Sequence, residues 1–410
     1  MSPVLRFAVK ASVTGIVASV SLFGFMAETQ PQLYVLIGTS VLVYLLARGE
    51  RVAAAVASYM TAASMFLRWA FLIWAVASLF WSARPAIAVT RVVTLIEIQL
   101  VGLVLFDAAR NLGQFKWILQ TAMASVALGA LHAGLLGLEP AYDRARGMYR
   151  NPNLLATTVV MGLACFSAGL SFGRKIIGRV ATGIAAIVLF IGVAAAASRQ
   201  GLIGAVVAWT SGMAMRGSRR RALTQMAVVA VAAVLLITLA PLQSYWQSTV
   251  YRAAVTIEAV RSNPAVSSSL VRRARFANEG TSLLAQAPVR GHGLSSFGWL
   301  SGEHTYAHSN YIEIGVALGL VGLFLFYGFQ IRLLGAALQR DRRASVEGRA
   351  IAILILAALA LDLAAVSYAA KLQNLLLIAG AGWLDRWKVV RQVPPEDTGV
   401  PVELRMRKGG

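Results

Sequence analysis

Along most of the chain the apolar positions run together in blocks close to the length of a membrane-crossing helix, separated by short polar stretches. A continuous block of about 20 such residues suits an α-helix crossing about 30 Å of hydrocarbon. Barrel strands would instead alternate apolar and polar positions, so the pattern predicts an all-α polytopic membrane protein. Twelve spans follow, near 7–26, 32–47, 63–81, 86–106, 116–138, 153–172, 177–197, 200–215, 222–240, 307–331, 349–369 and 371–387. One polar interval is much longer than the rest, from about Pro241 to Tyr306. Within it, Trp246–Val260 and Leu270–Ala287 have helical spacing of apolar residues, which predicts helices lying over the bundle. The organisation expected is a nine-span membrane bundle (1–240), a long helical loop (241–306), three C-terminal spans (307–388) and a polar tail (389–410).

Composition agrees. The chain of 410 residues is 58% hydrophobic and 13% charged, against about 25% charged in soluble domains. Its net charge of +21 would suit a nucleic-acid partner. Much of the excess, however, sits in short loops, where it reads as a topology signal, and no nucleic-acid partner is inferred. Loops carrying Arg48/Arg51, Arg110/Lys116, Arg174/Lys175/Arg179, Arg216/Arg219/Arg220/Arg221 and Arg340/Arg342/Arg343/Arg349 alternate with less basic ones. The basic side is read as cytoplasmic, with both termini inside and the long loop outside. Residues 1–30 resemble a signal peptide, with Arg6 and Lys10 ahead of an apolar run, but are read as a retained first helix. Cys165 is the single cysteine, in an apolar stretch, so it reads as core packing.

The candidate chemistry gathers on the outward side. Arginine appears there in Arg144-Ala145-Arg146-Gly147-Met148-Tyr149-Arg150-Asn151-Pro152-Asn153, in the tight turn Ser198-Arg199-Gln200-Gly201, in Val271-Arg272-Arg273-Ala274-Arg275, and in Arg290-Gly291-His292-Gly293, whose glycines permit close approach of backbone to a ligand. A guanidinium fork matches phosphate oxygens two at a time, so several on one face suggest a diphosphate or another dense anion. Arg84, Arg252 and Arg261 read as interfacial charges that meet lipid headgroups. His308, just before the Gly-rich span, can exchange a proton near neutral pH and is the candidate base. His304 lies four residues earlier and would share a helical face with it. The pair would suit a metal, but there is no HExxH or DxD and there are few outward acids, so no metal is expected. His132 reads as a packing histidine, and His292 as a loop residue. Glu97 and Asp362 lie deep in spans and need partners, with Asp362 a candidate to orient Arg199.

Asn151-Pro152-Asn153 opening a span, Ser198-Arg199-Gln200-Gly201 in a turn, and His308-Ser309-Asn310-Tyr311 followed by Gly315, Gly319 and Gly322 together resemble the O-antigen ligase superfamily. The loop ending Pro288-Val289-Arg290-Gly291-His292-Gly293, with Arg273 fifteen residues before the proline, fits the same pattern. An aromatic residue often follows the loop arginine by four; here that position is Ala277. The choice among Arg272, Arg273 and Arg275 therefore stays open. The resemblance implies a metal-independent, cofactor-free glycosyltransferase of the C type in the bacterial inner membrane, with its active site on the periplasmic side. Its donor would be O-antigen linked to undecaprenyl diphosphate, and its acceptor lipid A–core for a ligase or a second lipid-linked glycan for a polymerase. It also implies catalytic roles for His308, Arg199 and Arg273. Arg275, Arg272, Arg290, Arg146, Arg150, Asn151, Asn153, His304 and Tyr311 would bind substrate. A protein O-oligosaccharyltransferase, or a transporter or lipid flippase with polar sites near the midplane, would be the other readings.

Overall fold

The computed structural model describes residues 2–23, 31–136, 138–139, 144–145, 149, 151–216, 219–238 and 268–392, with a few positions between 243 and 258. Most of them are helical. In chain order the helices are α1 (Pro3–Phe23), α2 (Pro31–Arg48), α3 (Val52–Thr61), α4 (Phe66–Ala77), α5 (Pro85–Arg110), α6 (Phe115–Leu136), α7 (Pro152–Ala168), α8 (Ile176–Ala195), α9 (Arg199–Arg216) and α10 (Arg219–Thr238). After the long loop begins come α11 (Ser268–Gln286), the single turn α12 (Phe297–Leu300), α13 (Asn310–Leu338), the short α14 (Arg340–Arg343), α15 (Val346–Leu361) and α16 (Lys371–Gln392). Two antiparallel strands of two residues, Leu138–Glu139 and Arg144–Ala145, close the turn between α6 and α7. The expected helix over Leu270–Ala287 is α11; within Trp246–Val260 the described residues 247–251, 254, 255 and 258 are helical, and the others lie outside the described residues.

Among the described residues four helices are long and apolar enough to cross a membrane: Pro3–Leu22, Pro85–Arg110, Ile176–Ala195 and Asn310–Leu338. Tyr34–Thr61 and Phe66–Trp81 form a pair bent by 82°, which counts as a fifth span if taken together. The apolar helix Pro152–Ala168 is shorter but almost wholly buried, so its neighbours rather than lipid cover it. Large apolar side chains such as Ile73, Leu100, Ile184 and Phe324 point outward along the helices, as a lipid-facing surface requires. This is an all-α membrane protein.

Packing joins distant parts of the chain. Helix α16 lies along α5, α7 along α9, and α15 fills the space beside both α7 and α9. Small residues allow the close approach: Gly201 meets Ala156, Gly204 meets Leu361, and Gly382 meets the Phe106 backbone. Several deep charges are partnered. Arg48 and Asp107 form a buried ion pair at 2.8 Å, to which Tyr44 adds a hydroxyl at 2.6 Å. Glu97 pairs with Lys371 at 2.9 Å, and Arg110 with Asp385 at 2.6 Å. His132 is half-buried, with no hydrogen-bond partner for Nδ1 among the described residues.

Candidate active site at the start of α13

The site is built around a break in a helix. Gly319, inside α13, has φ 66° and ψ −166°, a backbone state that is essentially reserved for glycine. Breaking the helix frees carbonyls and amides in an apolar setting, and each needs a partner. The loop after α11 supplies them. His292 and Gly293 donate their amides to the Val316 and Ala317 carbonyls, both at 2.8 Å, and Leu320 donates to Pro288 at 2.7 Å. The Trp74 indole donates to the Leu318 carbonyl at 3.0 Å. A Cβ on Gly291 would run into the Ala317 backbone, and one on Gly293 into Ser82. These glycines therefore serve close approach of the chain to itself, not the approach of a ligand as the sequence suggested. His292 also does more than fill a loop, since its Nε2 meets the Leu283 carbonyl at 2.8 Å and ties the segment back to α11.

That stitching sets α11 over the start of α13, and His308 lies between them. Its ring stacks on Phe276 of α11 (centroids 5.8 Å apart, planes 6° apart) and meets Tyr306 at 4.4 Å. Helix α13 begins only at Asn310, so the expected span start at 307 and the helical His304–His308 face are both corrected. His304 instead sits on an exposed loop, its ring 6.0 Å from Trp299. Among the described residues the non-glycine positions with positive φ are Ala197, Ser295, His304 and His308, at 43°, 61°, 51° and 57°. All four flank the predicted motifs. Strain of this kind persists only where the surroundings over-determine the backbone.

Those surroundings are specific. Buried Glu313, one turn into α13, accepts the Ala307 amide at 2.8 Å and so holds the residue before His308. Asn310 donates to the Asp362 carboxylate and to the Tyr327 hydroxyl, both at 3.0 Å, and accepts the amides of Ser367 and Tyr368 at 3.0 Å. Asp362 also accepts from the hydroxyls of Tyr327 and Ser367. These partners take up the Asp362 carboxylate, which clamps the site segment to α15 and α16 rather than orienting Arg199.

The loop arginines separate by environment. Arg275 is ion-paired to Glu303 and lies 3.7 Å from Glu279. Burial, and then the charges of Arg273 and Arg272, push the His308 pKa down to about 4. Burial and Arg272 likewise lower the Arg273 guanidinium, partly offset by Tyr306. His308 is thus a neutral, deprotonated ring beside two cations, open to accept a proton once an anion arrives. Arg290 is exposed, 6.0 Å from the Trp81 ring.

Arg199 opens α9 after the turn that carries strained Ala197. Ser198 donates to the Asn153 side chain at 3.0 Å, and Gln200 reaches the Asn153 carbonyl and the Thr157 hydroxyl, each at 3.4 Å. The two motifs Asn151-Pro152-Asn153 and Ser198-Arg199-Gln200 are therefore one unit. Asn151 itself caps α7, accepting the Leu154 amide at 3.0 Å. Gly204 of α9 touches Leu361, whose neighbour Asp362 takes the Asn310 amide at 2.8 Å. Arg199 lies five residues further toward that end, about 7.5 Å at helical rise. It therefore shares an end of the bundle with His308. Tyr311 turns inward, donating to the Leu359 carbonyl at 3.1 Å and stacking on Tyr327 at 4.5 Å. Arg146 and Arg150 lie outside the described residues.

Sequence reasoning passed over Phe276, Glu313, Asn310 and Trp74. Asn310 and Glu313 stand in the motif segment and could have been found as polar residues at the mouth of an apolar helix. Phe276 and Trp74 have no such signal. Among the described residues no group of three or more His, Cys, Asp or Glu is placed to hold a metal ion.

Residues 184–327 match the protein family described as O-antigen ligase. The match runs from α8 through α13, so it takes in Arg199, the long loop and the whole His308 segment. No curated protein matches the chain.

Proposed function

We propose that the chain is an O-antigen ligase: a glycosyltransferase that moves a glycan from undecaprenyl diphosphate to a hydroxyl of lipid A–core, outside the bacterial inner membrane. The observation that carries this reading is His308, neutral and ring-stacked beside Arg272 and Arg273 within the family segment. Around it we infer twelve spans, both termini inside, a periplasmic site and a C-type glycosyltransferase architecture that needs no metal or cofactor. The chain thus works among membrane lipids, with no nucleic-acid partner.

The donor carries its own leaving group. As the acceptor oxygen bonds to the anomeric carbon, the carbon–oxygen bond to the diphosphate breaks and its electron pair leaves with the phosphate. Arg199 and Arg273, with Arg272 beside it, stabilise that growing charge, the kind of contribution that usually dominates such steps. His308 takes the acceptor hydroxyl's proton, a contribution of about 10²–10⁴-fold. Direct displacement inverts the anomeric centre. Arg290, Arg146 and Arg150 would meet phosphate or glycan from the periphery, and Asn151 and Asn153 act through the Arg199 turn. Arg275 braces the loop, while His304 and Tyr311 line the approach and the helix behind it.

The test is transfer by purified protein from lipid-linked glycan to lipid A–core in the presence of EDTA. Glycosylated lipid A–core from wild type and none from His308→Ala is the expected result. Lengthened undecaprenyl-linked glycan would make the chain a polymerase, and no covalent product would overturn the reading.

A further inference from the structure

Beside His308 lies a row of rings that the proton-transfer and diphosphate roles leave unused. Trp299 is 51% exposed and Tyr306 42% exposed, although both belong to a tightly closed loop. Within that loop Ser301 donates to Phe297 at 2.9 Å, Gly302 to Trp299 at 3.1 Å, and His304 to Gly298 at 2.7 Å. A Cβ on Gly298 would strike the Thr305 backbone, and Arg275 of α11 ties the loop down through Glu303. Phe297 is buried edge-on against Phe276 at 5.6 Å, the same ring on which His308 stacks. Trp299 and His308 therefore ride on one rigid assembly. Large apolar rings held rigid yet left open cost burial energy, and they need an occupant or a reason.

We propose that Trp299, flanked by His304 and Arg84, is a stacking subsite for a sugar ring of the acceptor. A pyranose presents a face of C–H groups, which lies well on an aromatic face, and a rim of hydroxyls, which needs donors and acceptors at the ring's edge. Trp299 stays half open while the Arg84 guanidinium lies over its ring, 4.9 Å from the centroid, and the His304 ring meets it at 6.0 Å, tilted 58°, so both stand beside a sugar stacked on the open part of the indole. Arg84 is thus positioned by Trp299 and is not merely an interfacial charge. The acceptor is assigned here because Phe297, at the start of the turn that carries Trp299, packs on the same Phe276 ring as His308, which receives the acceptor's proton. This rests on the transfer reading above for the word acceptor, but not for the binding of a sugar.

The experiment compares wild type, Trp299→Phe and Trp299→Leu, each checked for an unchanged melting temperature in detergent. Binding of the delipidated lipid A–core oligosaccharide is read by saturation-transfer NMR, alongside transfer kinetics. Expected are retention by Trp299→Phe and, for Trp299→Leu, about tenfold weaker binding with acceptor KM raised far more than kcat is lowered. Full binding by Trp299→Leu would overturn the subsite and make Trp299 an apolar anchor at the membrane interface. Oligosaccharide binding lost in Trp299→Leu, with no transfer by wild type, would refute the transfer reading yet uphold the sugar subsite. Transfer without any dependence of oligosaccharide binding on Trp299 would do the reverse.

Discussion

His308, the proposed base, has no carboxylate bonded to its ring among the described residues; its partners are Phe276, Tyr306 and two arginine charges. A histidine depressed to about 4 is deprotonated throughout the neutral range, so activity that needs it neutral falls only on strong acidification. Removing a neighbouring positive charge raises that value. Arg272→Gln is therefore expected to move the acid limb of the rate profile to higher pH, read as kcat/KM for the acceptor between pH 3 and 8. Bound diphosphate offsets the same charges and should shift the limb in the same direction when donor saturates. For Arg199, a lysine keeps the charge but loses the planar fork. Arg199→Lys should lower transfer on the order of 10²-fold, since such electrostatic donors are worth about that much; transfer within a few-fold of wild type would remove Arg199 from the diphosphate.

At the scale of elements, α13 starts without a side-chain cap at Ser309 and breaks at Gly319, yet both irregularities are satisfied by named partners. Glu313 holds the Ala307 amide through an acceptor oxygen, which a glutamine keeps and an alanine lacks. Glu313→Gln should thus retain most transfer activity, whereas Glu313→Ala frees the His308 backbone from its left-handed state and loses it. Equal loss in both would mean that the carboxylate's charge, not its hydrogen bond, is what matters. Gly319→Ala forces a Cβ toward the Val289 carbonyl in a conformation that other residues avoid, a cost of about 1–3 kcal/mol. Its melting temperature in detergent should fall well below that of Trp74→Phe, which loses one hydrogen bond worth about 1 kcal/mol.

The whole molecule is two ends of a bundle with different tasks. One end gathers Arg199, Arg272, Arg273 and His308; elsewhere charges are spent on holding helices, as Arg48 does with Asp107 and Arg349 with the Ala168 carbonyl at 3.1 Å. Cys165 is buried, so an added cysteine can be followed by itself. With a membrane-impermeant thiol reagent on intact spheroplasts, Gln286→Cys in α11 should label, and Arg174→Cys in the α7–α8 turn should label only after lysis. The opposite pattern would invert the topology and overturn the proposed periplasmic placement of the site.

Apolar blocks were enough to read an all-α membrane protein, because hydrocarbon leaves the backbone few options, and three short motifs singled out Arg199 and His308 as candidates, because motif spacing is local. Tertiary structure decided the rest. That Arg275 is taken by Glu303 while Arg272 and Arg273 face His308 depends on how α11 turns, and residues three apart in sequence cannot report it. The glycines of Arg290-Gly291-His292-Gly293 looked like a ligand cradle and prove to be the seam with the broken helix, since only the fold brings residue 291 to residue 317. Periodicity predicted His304 and His308 on one helical face, but the hydrogen bonds from Ala307 and Asn310 to distant partners hold that stretch out of the helix. Local pattern names the residues that can do chemistry; long-range contacts, which carry no local signature, choose which of them meet.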